Sequence, residues 1–164
     1  ILKTRDGLHS FQSMLKSNSV RKIYRCLVAG KWPLDLTTCS EPLLTNSDNG
    51  GRKTIINSEG KSAETFIEVL AQTEKYSLLE VEIKTGRTHQ IRAHLSGLGY
   101  PIIGDGMYGY NRGFYRCLPH NTRIMLHAYK LKFSWPGSRS VFDFRAPLPE
   151  DFKKCQKTLE NMTV

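Results

Sequence analysis

The stretch of residues 82–109 constrains the fold of this chain more than any other part of its sequence. It reads E-I-K-T-G-R-T-H-Q-I-R-A-H-L-S-G-L-G-Y-P-I-I-G-D-G-M-Y-G and so combines strand, turn, helix and loop signals. A Thr-Gly turn at 85–86 ends an alternating strand, and Ile91, Leu95 and Leu98 then recur at the i, i+4, i+7 spacing of an amphipathic helix. We therefore expect a strand that leads through a turn directly into a short helix.

The expected helix, residues 86–98, would begin with cationic and polar side chains. Arg87, Thr88 and His89 fall in its first turn, and Gly99 is placed to end it. Backbone N–H groups at a helix N-terminus attract anions, and neighbouring positive charge strengthens that attraction. The pattern therefore predicts an anion or phosphate site without identifying the anion.

The charge balance points to a polyanionic partner. The 164 residues carry a formal net charge of +9 and have a sequence pI near 9.5. Nucleic acid is the simplest such partner, an anionic membrane is less simple, and a basic surface with no anionic partner is the remaining interpretation. The length suits one domain with a sizeable core, and neither a linker nor a repeat divides residues 1–164.

Cysteine usage and apolar patterning favour a cytoplasmic protein with neither a metal nor a membrane segment. The cysteines stand far apart, without zinc-site spacing, and indicate free thiols in a reducing compartment. No apolar run is long enough to span a membrane, and the N-terminus lacks the layout of a signal peptide. It also lacks a methionine, so we expect the printed sequence to begin inside a longer protein. The cysteines are Cys26, Cys39, Cys117 and Cys155.

Apolar periodicity predicts an α+β fold with a mixed, mainly antiparallel sheet flanked by helices and loops. Asn49-Gly50 is a strong hairpin signal, and short strands are expected on either side of it. Longer strands are expected at 21–32, 63–71, 77–84, 124–135 and 141–145, and further helices at 5–17 and after Pro149.

Several polar side chains leave more than one interpretation open. Tyr24, on the first long strand, is favoured as a core aromatic residue whose hydroxyl is paired. Glu80 and Glu82 resemble a pair of acid/base carboxylates, yet they lie opposite an apolar face and are favoured as solvated groups. Arg52 and Lys53, beside the expected hairpin turn, could contact an RNA backbone or be ordinary loop cations.

Residues 110–122 form an irregular basic segment that interleaves aromatic and cationic side chains. Such a mixture suits stacking on unpaired bases and contacts with phosphates. It equally suits a surface loop that anchors its aromatic rings inward, and the sequence does not decide between the two. The side chains concerned are Tyr110, Arg112, Phe114, Tyr115 and Arg116.

Common catalytic motifs do not occur in this sequence. His89 and His94 lack the spacing and the acidic neighbour of a metallohydrolase site. There is no G-x-S-x-G nucleophile elbow, and the glycines of 97–109 match neither a Walker loop nor a dinucleotide fingerprint. The residues by themselves therefore predict a basic domain with cationic side chains at the start of a helix, and they predict no metal site.

The central motifs resemble those of the RluA-type pseudouridine synthases. The motifs that show the resemblance are G-R-T-H-Q-I-R at 86–92, the following A-H-L, and G-Y-P-I-I-G-D-x-x-Y-G at 99–109. Further matches are R-K-I-Y followed by L-V-A-G at 21–30, G-K-S-A-E-T at 60–65, and M-L-H-A at 125–128 with Leu131. Order and spacing agree across nearly the whole chain, and the branch that it most resembles acts on bacterial large-subunit ribosomal RNA.

The resemblance implies an enzyme that flips a uridine from RNA, breaks its N1–C1′ bond and rejoins the base through C5, without cofactor or metal. It implies that Tyr24 stacks on the flipped base and helps to remove the C5 proton. It implies that Arg92 pairs with the catalytic aspartate and fills the space that the base leaves. Arg87 and His89 would support the site or contact RNA. The expected partner is large-subunit ribosomal RNA, contacted also by Arg112 and Arg116, and the expected state is a monomer.

One departure from the family pattern affects every catalytic expectation. The family's aspartate stands in an H-R-L-D-x-x-T-S-G motif that does not occur in the printed sequence. We therefore expect residues 1–164 to be a C-terminal portion of the catalytic domain, inactive alone, in which Arg92 lacks its acidic partner. Asp6 and Asp105 do not match the motif. Finding Arg92 buried and fully paired with an acidic residue of this chain would mean that the assignment of the catalytic aspartate to a segment outside these residues is wrong.

Two readings from other classes stay open beside the enzyme. One is a non-catalytic RNA-binding protein on a synthase-like scaffold, which an intact H-R-L-D segment in the gene would exclude. The other is a general phosphate-binding module, for which Arg92→Ala would weaken RNA binding while the full-length enzyme still turned over.

Overall fold

A six-stranded sheet is the scaffold of the computed structural model, which describes residues 3–48, 51–138 and 140–162. Every strand pair in this sheet is antiparallel, and the α+β class expected from the sequence is confirmed. The sheet strands are β1 (Arg21–Ala29), β2 (Thr38–Cys39), β5 (Thr65–Gln72), β6 (Tyr76–Ile83), β7 (Leu126–Ser134) and β8 (Val141–Arg145). They lie in the order β2-β5-β6-β1-β7-β8.

A separate hairpin projects from this sheet and consists of β3 (Leu43–Asp48) and β4 (Gly51–Ile56). The two short strands expected around the turn are thus confirmed, whereas the Asn49-Gly50 turn itself lies outside the described residues. Thr54 on β4 is fully buried, because this side of the hairpin faces the helix that follows β6.

Three α-helices accompany the sheet: α1 (Arg5–Lys16), α2 (Gln90–Gly97) and α3 (Glu150–Glu160). Thr4 caps α1 by accepting the Gly7 N–H at 3.1 Å, as expected for a threonine immediately before a helix. The apolar face of α3 is buried in the main core through Phe152, Cys155 and Leu159.

Helix α2 begins later than the sequence pattern predicted. It starts at Gln90, and His89 precedes it with φ of 51° and ψ of 23°, a left-handed conformation that is rare for residues other than glycine. Arg87 and Thr88 therefore belong to the preceding turn and not to the first turn of the helix. The Arg87 N–H donates to the Gln90 side chain at 3.1 Å and is not free for an anion, and the helix start expected at 86–89 is wrong.

The β7–β8 end of the sheet leaves apolar side chains in contact with solvent. Phe133 stacks on Phe142 at 5.2 Å between ring centroids, and Phe11 of α1 meets Phe133 edge-on at 5.4 Å. Phe144 is 56% exposed. One end of the sheet is thus packed beneath α2 and α3, while the β7–β8 end is open apart from the contact with Phe11 of α1.

All four cysteines are free thiols, and only Cys117 among them is exposed. Across the described ranges, no helix combines the length and apolar character that crossing a membrane requires.

Candidate active site around Arg92

A buried ion pair fixes Arg92, the third residue of α2. Its Nε donates to Asp105 Oδ2 at 2.7 Å and its Nη2 donates to Asp105 Oδ1 at 2.8 Å, the two-pronged geometry that favours arginine over lysine. The Arg92 side chain is 13% exposed and the Asp105 side chain is 0% exposed. The hydrogen bond to Asp105 raises the pKa of the guanidinium, so Arg92 is a permanent cation.

The expectation that Arg92 would lack an acidic partner within this chain is therefore wrong. Sequence reasoning excluded Asp105 as a nucleophile but assigned it no other role. Its position in G-D-x-x-Y-G, just after α2 in the central stretch, was the available signal. Within the described ranges, Nη1 of Arg92 has no hydrogen-bond partner, so one edge of the guanidinium is left for another acceptor.

Tyr108 forms a platform beneath the Arg92 guanidinium. The Arg92 Cζ atom lies 4.6 Å from the centroid of the Tyr108 ring, a cation–π distance. The Tyr108 hydroxyl accepts the buried Thr54 N–H at 2.8 Å and contacts His89 Nδ1 at 3.1 Å. The hairpin, the start of α2 and the loop after α2 therefore meet at this tyrosine, which sequence reasoning did not single out.

His89 sits at the rim of this cluster as a neutral imidazole. Burial lowers its pKa, the positive charge of Arg92 lowers it further, and Asp105 offsets part of the effect. Because the Tyr108 hydroxyl already accepts the Thr54 N–H, its own proton is free to point at His89 Nδ1. This arrangement leaves the His89 Nε2–H as the outward donor.

A second buried network ties α2 to the sheet. Gln90 Nε2 donates to Thr65 Oγ1 at 3.0 Å, and Thr65 Oγ1 lies 2.8 Å from His94 Nδ1. His94 Nε2 lies 2.9 Å from the carbonyl oxygen of Glu41, and burial lowers the pKa of this histidine. A neutral His94 that accepts from Thr65 and donates to Glu41 satisfies every partner, so Gln90 and His94 hold the helix that carries Arg92.

Tyr24 lies on the same face of the sheet as α2. Strand register places Tyr24 opposite Val81, while Ile83, two residues further along β6, lies opposite Thr65. Residues two apart on a strand share a face, and Thr65 contacts α2, so Tyr24 also faces that side. Burial raises the pKa of Tyr24 and keeps its hydroxyl protonated at neutral pH.

A cavity of about 330 Å³ opens beside Tyr24, where the packed part of the sheet meets the open β7–β8 end. A bulge in the β1–β7 pairing occurs between Ile23 and Tyr24. The cavity wall is mostly apolar, with Leu131 and Phe144 among its side chains. No hydrogen bond or ring contact joins Tyr24 to Arg92 within the described ranges.

The remaining predicted side chains lie in other surroundings. Arg87 Nε donates to the Ser62 carbonyl oxygen at 3.0 Å, on the exposed side of the loop before α2. Arg112 and Arg116 line a different cavity, after the G-D-x-x-Y-G loop. Of the side chains that the sequence predicted for the site, the structure therefore places only His89 in the same cluster as Arg92. Tyr24, Arg87, Arg112 and Arg116 lie elsewhere.

Glu80 and Glu82 are ion-paired residues of the sheet surface, not the solvated carboxylates expected from the sequence. Glu82 accepts from Arg21 Nη2 at 2.6 Å, and Glu80 accepts from Arg25 Nη2 at 3.2 Å. The Arg21 hydrogen bond lowers the pKa of Glu82. These pairs bridge β1 and β6, and both carboxylates have cationic partners.

Gly104 allows the chain to reach Asp105. It has φ of 81°, and a Cβ atom there would lie 2.0 Å from the Arg123 carbonyl oxygen. We expect Gly104→Ala to lower the free energy of unfolding well beyond the ~1–2 kcal/mol of a left-handed non-glycine residue, since the backbone must also move. Chemical denaturation measures this change.

Gly99→Ala is the matched control for Gly104→Ala, because Gly99 has φ of 89° and no atom within 4 Å of an added Cβ. It should show the conformational penalty alone. Equal losses in the two variants would contradict the close approach at Gly104.

No cluster of three or more metal-ligating side chains occurs in the part of the chain that the structure describes. The fold and the site together define an α+β protein with a rigidly held arginine and, on the same sheet face, a tyrosine beside an open cavity.

Comparison with known sequences places this chain in one family. A family model described as RNA pseudouridylate synthase matches residues 3–97. Ribosomal large subunit pseudouridine synthase C of Buchnera aphidicola subsp. Schizaphis graminum is 39% identical over 163 residues, covering 97% of this chain and 52% of that protein. The protein of the same name from Escherichia coli K12 is 36% identical over 166 residues, covering 98% of this chain and 52% of the relative. The chain thus spans about half the length of the curated relatives it matches.

Solved structures give the same relationship. Human RNA pseudouridylate synthase domain containing 1 superposes with a TM-score of 0.73 at 28% identity, covering 93% of this chain and 65% of that chain. Human RNA pseudouridylate synthase domain containing 4 has a TM-score of 0.77 at 23% identity, covering 96% and 69%. The latter likeness concerns the fold alone. The chain belongs to the RNA pseudouridylate synthase family.

Proposed function

We propose that this chain is part of the catalytic domain of a pseudouridine synthase that acts on large-subunit ribosomal RNA. The observation that carries the proposal is Arg92, held by Asp105 and Tyr108 on the sheet face that also presents Tyr24 and its cavity. Family membership supports an isomerase, and the curated relatives named above are ribosomal large subunit synthases. The net charge of +9 is in accord with an RNA partner.

In the proposed reaction a flipped uridine enters the cavity beside Tyr24. The N1–C1′ bond breaks, the base turns, and a C5–C1′ bond forms; the C5 proton is lost and N1 gains a proton. The Tyr24 ring offers a flat face for the base. Arg92 offers a fixed positive charge whose free Nη1 edge can receive an incoming carboxylate or phosphate. No step requires a cofactor or a metal.

Asp105 does not supply the nucleophile in this proposal. Its side chain is 0% exposed, and both of its oxygens accept hydrogen bonds from Arg92. We assign it a positioning role, in which it orients Arg92 and keeps that side chain charged. Arg92 already has an acidic partner in Asp105. Its proposed contact with a catalytic aspartate would be a second one, made through Nη1.

Residues 1–164 alone are expected not to convert uridine. The H-R-L-D motif does not occur in the printed sequence, and Asp105 is inaccessible. The test is release of tritium from C5-labelled uridine in large-subunit ribosomal RNA, measured for these residues and for the protein expressed from its own gene. We expect release from the second only. Release by residues 1–164 would refute the proposed inactivity, and no release from either would refute the proposed enzyme.

The two other functions give different results in the same experiment. A non-catalytic RNA-binding protein would bind the RNA and release no tritium in either form. A phosphate-binding module would keep full turnover in Arg92→Ala while its RNA affinity fell. Further parts of the proposal are Arg87 and His89 as supporting RNA contacts, Arg112 and Arg116 as contacts in the following loop, a monomeric state and a cytoplasmic location.

A further inference from the structure

Two buried hydrogen-bonding groups in one loop are left without partners. Tyr110 Oη and Arg112 Nε are the only buried side-chain polar atoms without a hydrogen bond among the described residues. Buried polar groups in folded proteins are nearly always paired, so each of these atoms needs a partner that the described side chains do not supply, such as a water, an ion or a ligand. Arginine Nε–H can only donate, and the missing partner of Arg112 must therefore be an acceptor.

Two arginines and a histidine of this loop surround an open cavity. Arg112, Arg116 and His120 line a space of about 400 Å³, together with Gly113, which contributes no side chain. No acidic side chain lines this cavity. Arg123, by contrast, is ion-paired with Asp151 through two hydrogen bonds.

Arg112 is held in place before any ligand arrives. Its Nη1 contacts Nδ1 of His120, so the imidazole nitrogen accepts from the guanidinium and orients it. Asn111 Oδ1 accepts the Gly113 N–H at 2.9 Å and fixes the start of the short turn over Arg112–Tyr115. A guanidinium positioned in this way matches the spacing of two phosphate oxygens and loses little side-chain freedom on binding.

We propose that Arg112, Arg116 and His120 form a phosphate-binding subsite. The ligand is a tetrahedral phosphate, either a phosphodiester of the RNA backbone or a free phosphate anion. Arg112 and Arg116 donate to the phosphate oxygens from the cavity wall, and His120 orients the Arg112 guanidinium through Nη1. The RNA form of this proposal rests on the proposed function, whereas binding of inorganic phosphate does not.

Inorganic phosphate is the first probe, and the Arg112 Nε–H signal in a ¹H–¹⁵N NMR spectrum of the 164-residue chain is the readout. We expect this signal to move on titration with phosphate, and Arg112→Gln or Arg116→Gln to weaken phosphate binding by about tenfold or more. Arg112→Lys keeps the charge but removes the two-pronged donor, and should weaken binding nearly as much. Arg5→Gln, an exposed position in α1, is the charge-matched control and should change nothing. Thermal unfolding checks that each variant is folded.

A single-stranded uridine-rich RNA is the second probe, and the readout is the salt dependence of its binding. If the subsite takes a backbone phosphate, Arg112→Gln should reduce the slope of log affinity against log salt by about 0.7, the value for one phosphate contact in a single strand. An unchanged slope with weakened phosphate binding assigns the subsite to a free phosphate anion.

Phosphate affinities that are equal in Arg112→Gln, Arg116→Gln and Arg5→Gln would overturn the subsite. That result would leave the tritium-release experiment untouched, and a failure of tritium release would leave phosphate binding untouched. The two proposals can thus fail separately.

Discussion

Replacement of Arg92 by methionine is expected to lower the free energy of unfolding by about 3–5 kcal/mol, the range for breaking a buried ion pair. Methionine retains much of the length of the arginine stem, so the loss arises chiefly at Asp105. Its carboxylate, which is 0% exposed, would lose the two hydrogen bonds that it receives from Arg92. Urea denaturation of the 164-residue chain measures the difference.

The pair of Arg123 and Asp151 is the matched control for the Arg92 prediction. It has the same two-pronged geometry, but its side chains are 41% and 51% exposed. Arg123→Met should lower the free energy of unfolding by less than about 1 kcal/mol, because exposed pairs are screened by water. Adding Asp105→Asn to Arg92→Met should restore part of the lost stability. Equal losses in the two arginine variants would show that burial of Asp105 has no energetic consequence.

Replacement of Tyr24 by phenylalanine is expected to lower the turnover of uridine about 100-fold or more, the contribution of a positioned proton acceptor. Phenylalanine retains the flat ring for stacking, so KM should change little. Tyr24→Leu removes the ring as well and should raise KM in addition to lowering kcat. Both constants are measured by tritium release from the protein expressed from its own gene.

The pH profile separates a proton-accepting role of Tyr24 from stacking alone. Burial raises the pKa of this phenol, and only the phenolate accepts a proton. If proton removal limits the rate, kcat should rise about tenfold for each pH unit in the alkaline range below that raised pKa, and Tyr24→Phe should lose the rise. Tyr76→Phe is the control, a buried tyrosine that hydrogen-bonds Glu160. A full rate in Tyr24→Phe would restrict Tyr24 to stacking.

Local patterns predicted most of the elements because each element has its own periodicity. The β5–β6 hairpin, the β7–β8 pair and the terminal helix fall within a few residues of their predicted bounds. Helix α2 is the exception. Its predicted start at residue 86 came from polar residues that suit a helix terminus, but the Gln90 side chain folds back onto the Arg87 N–H and holds a turn there.

The pairing of side chains was less accessible from the sequence. Glu80 and Glu82 were placed on the correct face of β6, yet their partners come from β1, more than fifty residues away along the chain. Asp105 and Tyr108 were visible as parts of a motif, and their contacts with Arg92 required the loop after α2 to fold back on the helix. The spacing of residues along the sequence does not show that a loop folds back in this way.

The sequence by itself determined the α+β class, the strand and helix periodicity, the basic character and the family motifs, because each depends on residues that are near one another or on composition. Tertiary structure alone decided that Arg92 is paired with Asp105 above Tyr108, that α2 begins at Gln90, and that Arg112 Nε is buried without a partner. The physical reason is that burial and the direction of a hydrogen bond are properties of packed neighbours, which only the folded chain brings together.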